Sequence, residues 1–159
     1  MLEKGNKKPK DIVEAYMLAI KAKEYNTRKA FEEVAHFCEN DVVCSKDNSL
    51  KRNTLLLWVY DKLANLYFKS QNYDVAYKWW KKAAEIPGSY QVRLNIGLNM
   101  LELASNKIAN KEERLSKIIE SASILQQIYL FINDKVMTAK MQKIQDDALK
   151  LLRKLKSIH

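Results

Sequence analysis

Histidine and cysteine are the side chains in this sequence with the clearest capacity for chemistry at neutral pH. The chain has two of each, namely His36, Cys38, Cys44 and His159. The first three could supply three of the four ligands of a zinc ion, with Asp41 as the nearest fourth. They lack the Cys-x-x-Cys spacing of common zinc sites. The pattern therefore favours a histidine at a helix end beside two half-buried thiols, and we expect no bound metal.

Carboxylate pairs are the next candidates for catalysis. Glu112 and Glu113 are adjacent in sequence, as are Asp146 and Asp147. Adjacent side chains point in different directions on a helix, so neither pair can act together on one substrate. The chain's three glycines are also too far apart to form a phosphate-binding loop. We therefore expect a protein that is not an enzyme and that has no cofactor.

The elements that must position these residues follow from the scarcity of turn residues. Only three of the 159 residues are glycine and two are proline. Sheet proteins need frequent turns, which depend on such residues. The composition therefore excludes barrels, sandwiches and doubly wound sheets. It predicts an all-α protein, and the length suits a single domain with a substantial core.

Positive charge is concentrated at the two ends of the chain. The formal net charge is +9, yet residues 11–134 carry 17 basic and 16 acidic side chains. Residues 135–159 carry seven basic and two acidic side chains. Lysine outnumbers arginine 23 to 5, and arginine is the residue that reads bases and phosphates in fixed geometry. The charge thus favours solubility or weak polyanion binding, and we expect no specific nucleic-acid partner.

Nothing in the sequence predicts export or membrane insertion. The first ten residues are polar, unlike a secretory signal. The longest apolar run covers residues 55–60, whereas a membrane span needs about 20 residues. We expect no transmembrane segment and a cytoplasmic location with both cysteines reduced, a disulfide between them being the alternative.

Apolar residues recur every three or four positions, which predicts helices along the whole chain. The first two are expected within residues 9–38, with a break near residues 26–27. Residues 39–53 are polar and form the most loop-like stretch. Five more helices are predicted, the first of them starting at either residue 50 or residue 54: 50–70, 73–85, 90–105, 111–132 and 135–156. Short connections predict antiparallel neighbours.

The clearest motif lies in the centre of the chain. Its residues are Tyr60, Leu63, Ala64, Tyr67, Tyr73, Ala76, Trp80, Ala83 and Pro87. This spacing resembles the tetratricopeptide repeat, in which small residues lie where two helices cross and bulky ones fill the space beside them. The stretch around Trp80, together with Gly97, also resembles the related Sel-one-like repeat. An ordinary helical bundle with these aromatics in its core is the alternative.

The resemblance implies a stack of helix pairs in one domain covering residues 1–159. Residues 9–38 form a degenerate pair, residues 54–87 the clear pair, and residues 90–132 a third pair. Residues 135–157 form a capping helix. Gly97 occupies the small position of the third pair. Such stacks form short right-handed superhelices.

Residues 111–132 and 135–158 carry seven-residue apolar patterns, typical of helices that pack at a shallow angle. The predicted apolar seam of the last helix is Met137, Met141, Ile144, Ala148, Leu151, Leu155 and Ile158. Two interpretations remain. The two helices form an intramolecular cap, which we favour, or the seam is exposed and makes a homodimer or receives a partner helix.

The resemblance also implies a binding site. First helices of successive pairs line a concave groove in this family, and the corresponding residues here are Trp58, Asp61, Asn65, Phe68, Lys69, Gln91, Leu94 and Leu98. Trp58 and Phe68 would anchor a partner, and Asn65 would bind a peptide backbone. The alternative is that Trp58 is buried against Leu55 and that the C-terminal helices fill the groove. Asp61 stands where carboxylate-clamping members have lysine, so that activity is not expected.

Together these features predict a non-catalytic adaptor or chaperone-like module that binds a protein or peptide in the groove. The alternative is an adaptor for polyanions or membrane surfaces, because the C-terminal helix is basic and amphipathic. A small helical enzyme is the third and weakest hypothesis.

Overall fold

A computed structural model describes residue 9 and residues 12–25, 28–40 and 50–157 of the chain. These residues form helices joined by short connections, and no strand occurs among them. The helices are α1 (Ile12–Tyr25), α2 (Arg28–Asn40), α3 (Leu50–Lys69), α4 (Tyr73–Ala84), α5 (Tyr90–Lys107), α6 (Lys111–Phe131) and α7 (Lys135–Ser157). The all-α prediction is confirmed.

The helix boundaries lie close to the predicted ones. α3 begins at Leu50, the earlier of its two predicted starts, and α2 continues to Asn40, two residues past its predicted end. The Arg52 side chain, in the first turn of α3, donates hydrogen bonds to the Cys38 carbonyl oxygen at 3.0 and 3.3 Å. This contact ties the start of α3 to the end of α2, so tertiary structure extends the helix into polar sequence. Residues 41–49 lie outside the described residues.

Two hairpins turn in the same way. Gln71, between α3 and α4, and Asn133, between α6 and α7, both have left-handed backbone angles with φ of 63° and 61°. In each turn the following residue, Asn72 or Asp134, donates its N–H to a carbonyl five residues earlier, at 2.9 Å. This is the Schellman arrangement, which usually contains glycine in the left-handed position. Both turns therefore stop one helix and reverse the chain within three residues.

Each helix packs against its neighbours in sequence, and α1 also contacts α3. At the α3–α4 crossing, Ala64 and Ala76 are fully buried, as expected for small residues at a close approach. Between α5 and α6 the approach is closer still. A Cβ atom added to Gly97 would lie 2.7 Å from Cδ2 of Leu125. Buried side chains from α1 to α5 form one continuous core.

The last two helices, α6 and α7, make the most extensive helix–helix contact in the described structure. Met141 and Ala148 of the predicted α7 seam are buried, and Met137 and Ile144 are half-buried against the same cluster. One position was predicted wrongly, because Leu151 is 50% exposed and Leu152 is buried instead. An α-helix drifts by about 20° per heptad from a strict seven-residue repeat, so after two heptads Leu151 and Leu152 lie on either side of the inward direction, and the structure buries Leu152. Ile158 lies outside the described residues.

Candidate binding groove

The middle of α3 places three of the predicted binding residues on one face. Asp61, Asn65 and Phe68 follow one another at four- and three-residue spacing. The Trp80 indole of α4 donates its Nε1–H to Asp61 Oδ1 at 3.0 Å. Asn65 donates from Nδ2 to the Asp61 carbonyl oxygen at 2.8 Å and to Oδ1 at 3.3 Å. Asp61 is thus occupied by contacts within the protein, which orient the Asn65 amide.

Phe68 forms the apolar part of this face. Its ring centroid lies 5.9 Å from that of Trp80 and 5.3 Å from that of Tyr73, in tilted and edge-on arrangements. Such aromatic pairs stabilise by about 0.5–1.5 kcal/mol beyond their buried area. Phe68 is half-buried. It therefore both supports the α3–α4 crossing and contributes surface beside Asn65.

A hollow of about 270 Å³ lies between α3 and α5, next to this face. We call it the α3–α5 hollow. It is lined by Asn65, Phe68, Trp80, Asn99, Glu102, Leu103, Asn106 and Lys107. The first two belong to α3, Trp80 to α4 and the rest to α5. The lining combines aromatic and aliphatic surface with side-chain amides, each of which can both donate and accept hydrogen bonds.

The α5 residues that line the hollow differ from the predicted ones. Leu94 packs instead against the cluster formed by α6 and α7. Gln91 and Leu98 are exposed and do not line the hollow. The predicted register on α5 therefore needs correction by about one residue, to a face that includes Asn99 and Glu102.

Gly97 explains this register. It is buried, and its missing side chain allows α6 to approach so closely that Leu94 and Leu101, three residues before and four after it, face the α6–α7 cluster. The opposite side of α5 then faces α3. Asn99, Glu102 and Asn106 follow one another at three- and four-residue spacing, which is the helical period. This polar spacing is present in the sequence and is the signal that could have indicated the face of α5 toward the hollow.

Trp58 and Lys69 lie outside the hollow. Trp58 is half-buried against the core, and its ring stands edge-on to Phe31 of α2 with centroids 6.0 Å apart. It was expected to be an accessible anchor, and in the structure it contributes to packing between α2 and α3. Lys69 is exposed at the end of α3. The structure thus brings Asn65 and Phe68 together at the hollow, with Asp61 behind them.

Three tyrosine–carboxylate hydrogen bonds connect different helices around this region. Tyr60 donates to Glu39, Tyr67 donates to Glu32 at 2.6 Å, and Tyr77 donates to Glu120 at 2.7 Å. Burial, followed by the glutamate contact, raises the pKa of Tyr60 and of Tyr77 far above the ordinary value. For Tyr67 the hydrogen bond to the glutamate is the main cause of the raised pKa. These hydroxyls remain protonated and act as structural donors.

Two of the residues first considered for chemistry, His36 and Cys38, do not line the hollow. His36 is exposed on α2 and Cys38 is buried two residues later. Within the described ranges, no group of three or more His, Cys, Asp or Glu side chains could hold a metal ion. Cys44, Asp41 and His159 lie outside those ranges.

Comparisons with known proteins returned no match to a protein-family model, a curated protein or a solved structure. None of the helices described for this chain has the length and apolar character needed to cross a membrane.

Proposed function

We propose that this protein is a tetratricopeptide-like adaptor that binds a peptide or helix of another protein in the α3–α5 hollow and performs no catalysis. In this proposal the helix pairs stack as a short right-handed superhelix. The observation that carries the proposal is the hollow itself, where Asn65 and Phe68 meet Asn99 and Glu102. The motif that resembles the repeat contains its α3 and α4 walls.

The lining suits a peptide better than a small charged ligand. Phe68, Trp80 and Leu103 offer apolar surface to a partner side chain. The amide of Asn99, which is exposed, lies in the same lining as the Asn65 amide. Two such amides on neighbouring helices can bond to the N–H and C=O groups of a peptide backbone. Glu102 and Lys107 contribute one charge of each sign, so the hollow has no strong preference for a charged partner.

The polyanion alternative depends on a free apolar seam on α7. That seam is covered by α6, as Met141, Ala148 and Leu152 are buried. The outer face of α7 then presents lysines beside only two exposed leucines, Leu149 and Leu151, and the attraction of the lysines is screened beyond about 8 Å at physiological salt. An outer face of this kind matches the polar cap that a helical stack requires at its end.

The test uses an exposed residue, because replacing Phe68 or Trp58 would also disturb the core. Asn99→Arg places a guanidinium group in the hollow without removing buried surface. Ser105→Arg is the matched control, since Ser105 is exposed on the same helix and does not line the hollow. Tagged full-length proteins would be incubated with extract of the native organism, and retained proteins identified by mass spectrometry.

We expect at least one protein to be retained by the parent and by Ser105→Arg but lost with Asn99→Arg. Thermal melts of both variants should match the parent, which separates lost binding from lost folding. If Asn99→Arg retains the same proteins as the parent, partner binding does not use this hollow and the proposal is wrong.

A further inference from the structure

Three large apolar side chains at the end of α6 and the start of α7 are unusually exposed to solvent. Leu130 is 67% exposed, Phe131 is 81% exposed and Val136 is 78% exposed. Contiguous exposed apolar patches on soluble proteins often mark interaction sites. The turn between the helices is fixed, because Asn133 and Asp134 donate N–H bonds to the carbonyls of Leu130 and Tyr129 at 3.1 and 2.9 Å. We call Leu130, Phe131 and Val136 the hairpin tip.

The hairpin geometry does not by itself require this exposure. The α3–α4 hairpin has the same turn, and there Phe68 stands three residues before the left-handed residue, where Leu130 stands in the α6–α7 hairpin. Phe68 is covered by Tyr73 and Trp80. The positions equivalent to Tyr73 and Trp80 are Lys135 and Gln142 in α7. Both line an open hollow of about 270 Å³ beside Leu130, where the first hairpin has aromatic rings.

A second hollow lies on the other side of the tip. It has a volume of about 430 Å³ and lies between the start of α5 and the end of α6. Its apolar lining comes from Tyr90, Ile128 and Phe131, and its polar lining includes Arg93 and Gln127. Leu130 and Phe131 thus form a ridge with a concave surface on each side, a shape that can receive the side chains of a partner.

The side chains that line the two hollows carry charges of one sign. Arg93 lines the larger hollow and Lys135 the smaller one, and none of the residues described as lining either hollow carries a carboxylate. The Asp134 carboxylate in the turn keeps its negative charge but lies outside both linings, where it accepts the N–H of Met137 at 3.0 Å. Arg93 donates its Nε–H to the Ala84 carbonyl at 3.2 Å, which holds its guanidinium group at the hollow. The ridge is therefore complementary to an acidic partner.

We propose that the hairpin tip binds an acidic segment of another protein, with a large apolar side chain of that segment seated in the hollow beside Phe131. A second copy of this chain would bring the same cations face to face, which is unfavourable. The amides of Gln126 and Gln142 already bond to each other at 2.7 Å, but a lipid bilayer would have to desolvate the Gln127 amide and the Arg93 guanidinium group that line the larger hollow, which is costly when such groups are left without partners. A peptide can offer backbone groups to the Gln127 amide and a carboxylate to Arg93.

The probe is a phage-displayed library of random peptides, selected on the immobilised full-length protein at about 0.15 M salt. Enriched sequences would be synthesised with a fluorescent label and titrated by anisotropy against the parent and three variants. Phe131→Ser removes the exposed ring, Lys135→Glu reverses a charge at the ridge, and Leu151→Ser is the matched control. Leu151 is an exposed apolar residue of α7 that lines neither hollow.

We expect the enriched peptides to combine Asp or Glu with large apolar residues. Phe131→Ser and Lys135→Glu should each weaken binding by about tenfold or more, as for central interface residues, and Leu151→Ser should leave it unchanged. Asn99→Arg should also leave it unchanged, which separates this site from the α3–α5 hollow.

Several results would overturn the proposal. They are the absence of enriched peptides, enrichment without acidic residues, and binding that Phe131→Ser does not weaken. A dimer in sedimentation that Phe131→Ser dissociates would assign the ridge to a second copy. Flotation with phosphatidylserine-containing vesicles at about 0.15 M salt, lost in Phe131→Ser, would assign it to a membrane.

Discussion

Gly97 offers a sharp test of how α5 and α6 pack. It lies inside α5 and is buried. Glycine loses more conformational freedom than alanine when the chain folds into a helix, so replacing it with alanine should by itself stabilise the protein by about 0.5–1 kcal/mol. The new Cβ would, however, lie 2.7 Å from Cδ2 and 3.0 Å from Cγ of Leu125. Rotation about χ2 can move Cδ2 away but leaves Cγ in place, so Leu125, which is fully buried, must also shift by a few tenths of an ångström at Cγ.

The overlap should exceed the gain in helix propensity. Overpacking of a close contact costs about 1–3 kcal/mol, so we expect Gly97→Ala to destabilise the protein by about 1 kcal/mol. For a chain of this size that lowers Tm by about 2–4 °C. Asn95→Ala, at an exposed position of the same helix, has the propensity gain without the overlap and should be neutral or slightly stabilising.

A double-mutant cycle isolates the contact. Leu125→Ala alone should cost about 2–5 kcal/mol, and it also removes both atoms that the new Cβ would meet. In that background Gly97→Ala should become stabilising by about 0.5–1 kcal/mol. Urea unfolding followed by circular dichroism gives the four free energies. If Gly97→Ala has the same effect in both backgrounds, Leu125 does not limit the approach of α6 and the packing argument is refuted.

Three further predictions concern the fold. Ala64→Leu and Ala76→Leu should each destabilise by about 1–3 kcal/mol through overpacking of the α3–α4 crossing, and melting within a degree or two of the parent would contradict this. Gln71→Gly should stabilise by about 0.5 kcal/mol, because the left-handed conformation costs a non-glycine residue about 1–2 kcal/mol and glycine returns part of that as entropy; Asn133→Gly should give a smaller gain, and thermal melts rank the two. Burial and the contact with Glu120 raise the pKa of Tyr77 above its ordinary value of 10.0. The protonated Tyr77 hydroxyl therefore contributes fully to the free energy of unfolding below about pH 10, and this contribution is lost as the pH rises further, by up to about 1.4 kcal/mol per pH unit. Urea midpoints measured above about pH 10 should fall less steeply in Tyr77→Phe than in the parent.

Most of the helices could be predicted because turn residues and apolar spacing in the sequence indicate the same boundaries. Pro87 and Gly88 separate α4 from α5, and apolar residues recur every three or four positions within each helix. The sequence left two possible starts for α3, residue 50 and residue 54, since its first turn is polar. That boundary depends on the contact of Arg52 with the Cys38 carbonyl, which joins residues 14 positions apart. Only tertiary structure supplies such a contact.

The positions of some candidate site residues could likewise be predicted from the sequence, and those of others could not. Asn65 and Phe68 were placed on one face by the motif on α3 and α4, and both line the same hollow, while their role in binding stays a prediction. The face of α5 that lines the hollow was not predicted, because it depends on Gly97 facing α6. A single glycine in a sequence does not indicate which helix packs against it. Trp58 was predicted to be accessible, with burial as the alternative, and in the structure it is half-buried. Its exposure depends on Phe31 of α2, which packs edge-on against it, and the weak pattern of residues 9–38 gave no register for that helix.

The burial of Leu152 determines which side chains lie on the outer face of α7, the last helix. Because the apolar seam moves from Leu151 to Leu152, the buried stripe stays directed at α6 along the whole of α7. Lys143, Lys150 and Lys154 then lie on the opposite side and are exposed. Membrane-surface binding requires a broad apolar face beside such lysines, and among the described residues of α7 beyond the hairpin tip only Leu149 and Leu151 are exposed large apolar side chains. The outer face of α7 is therefore mostly polar, and the most exposed large apolar side chains of this hairpin lie at its tip.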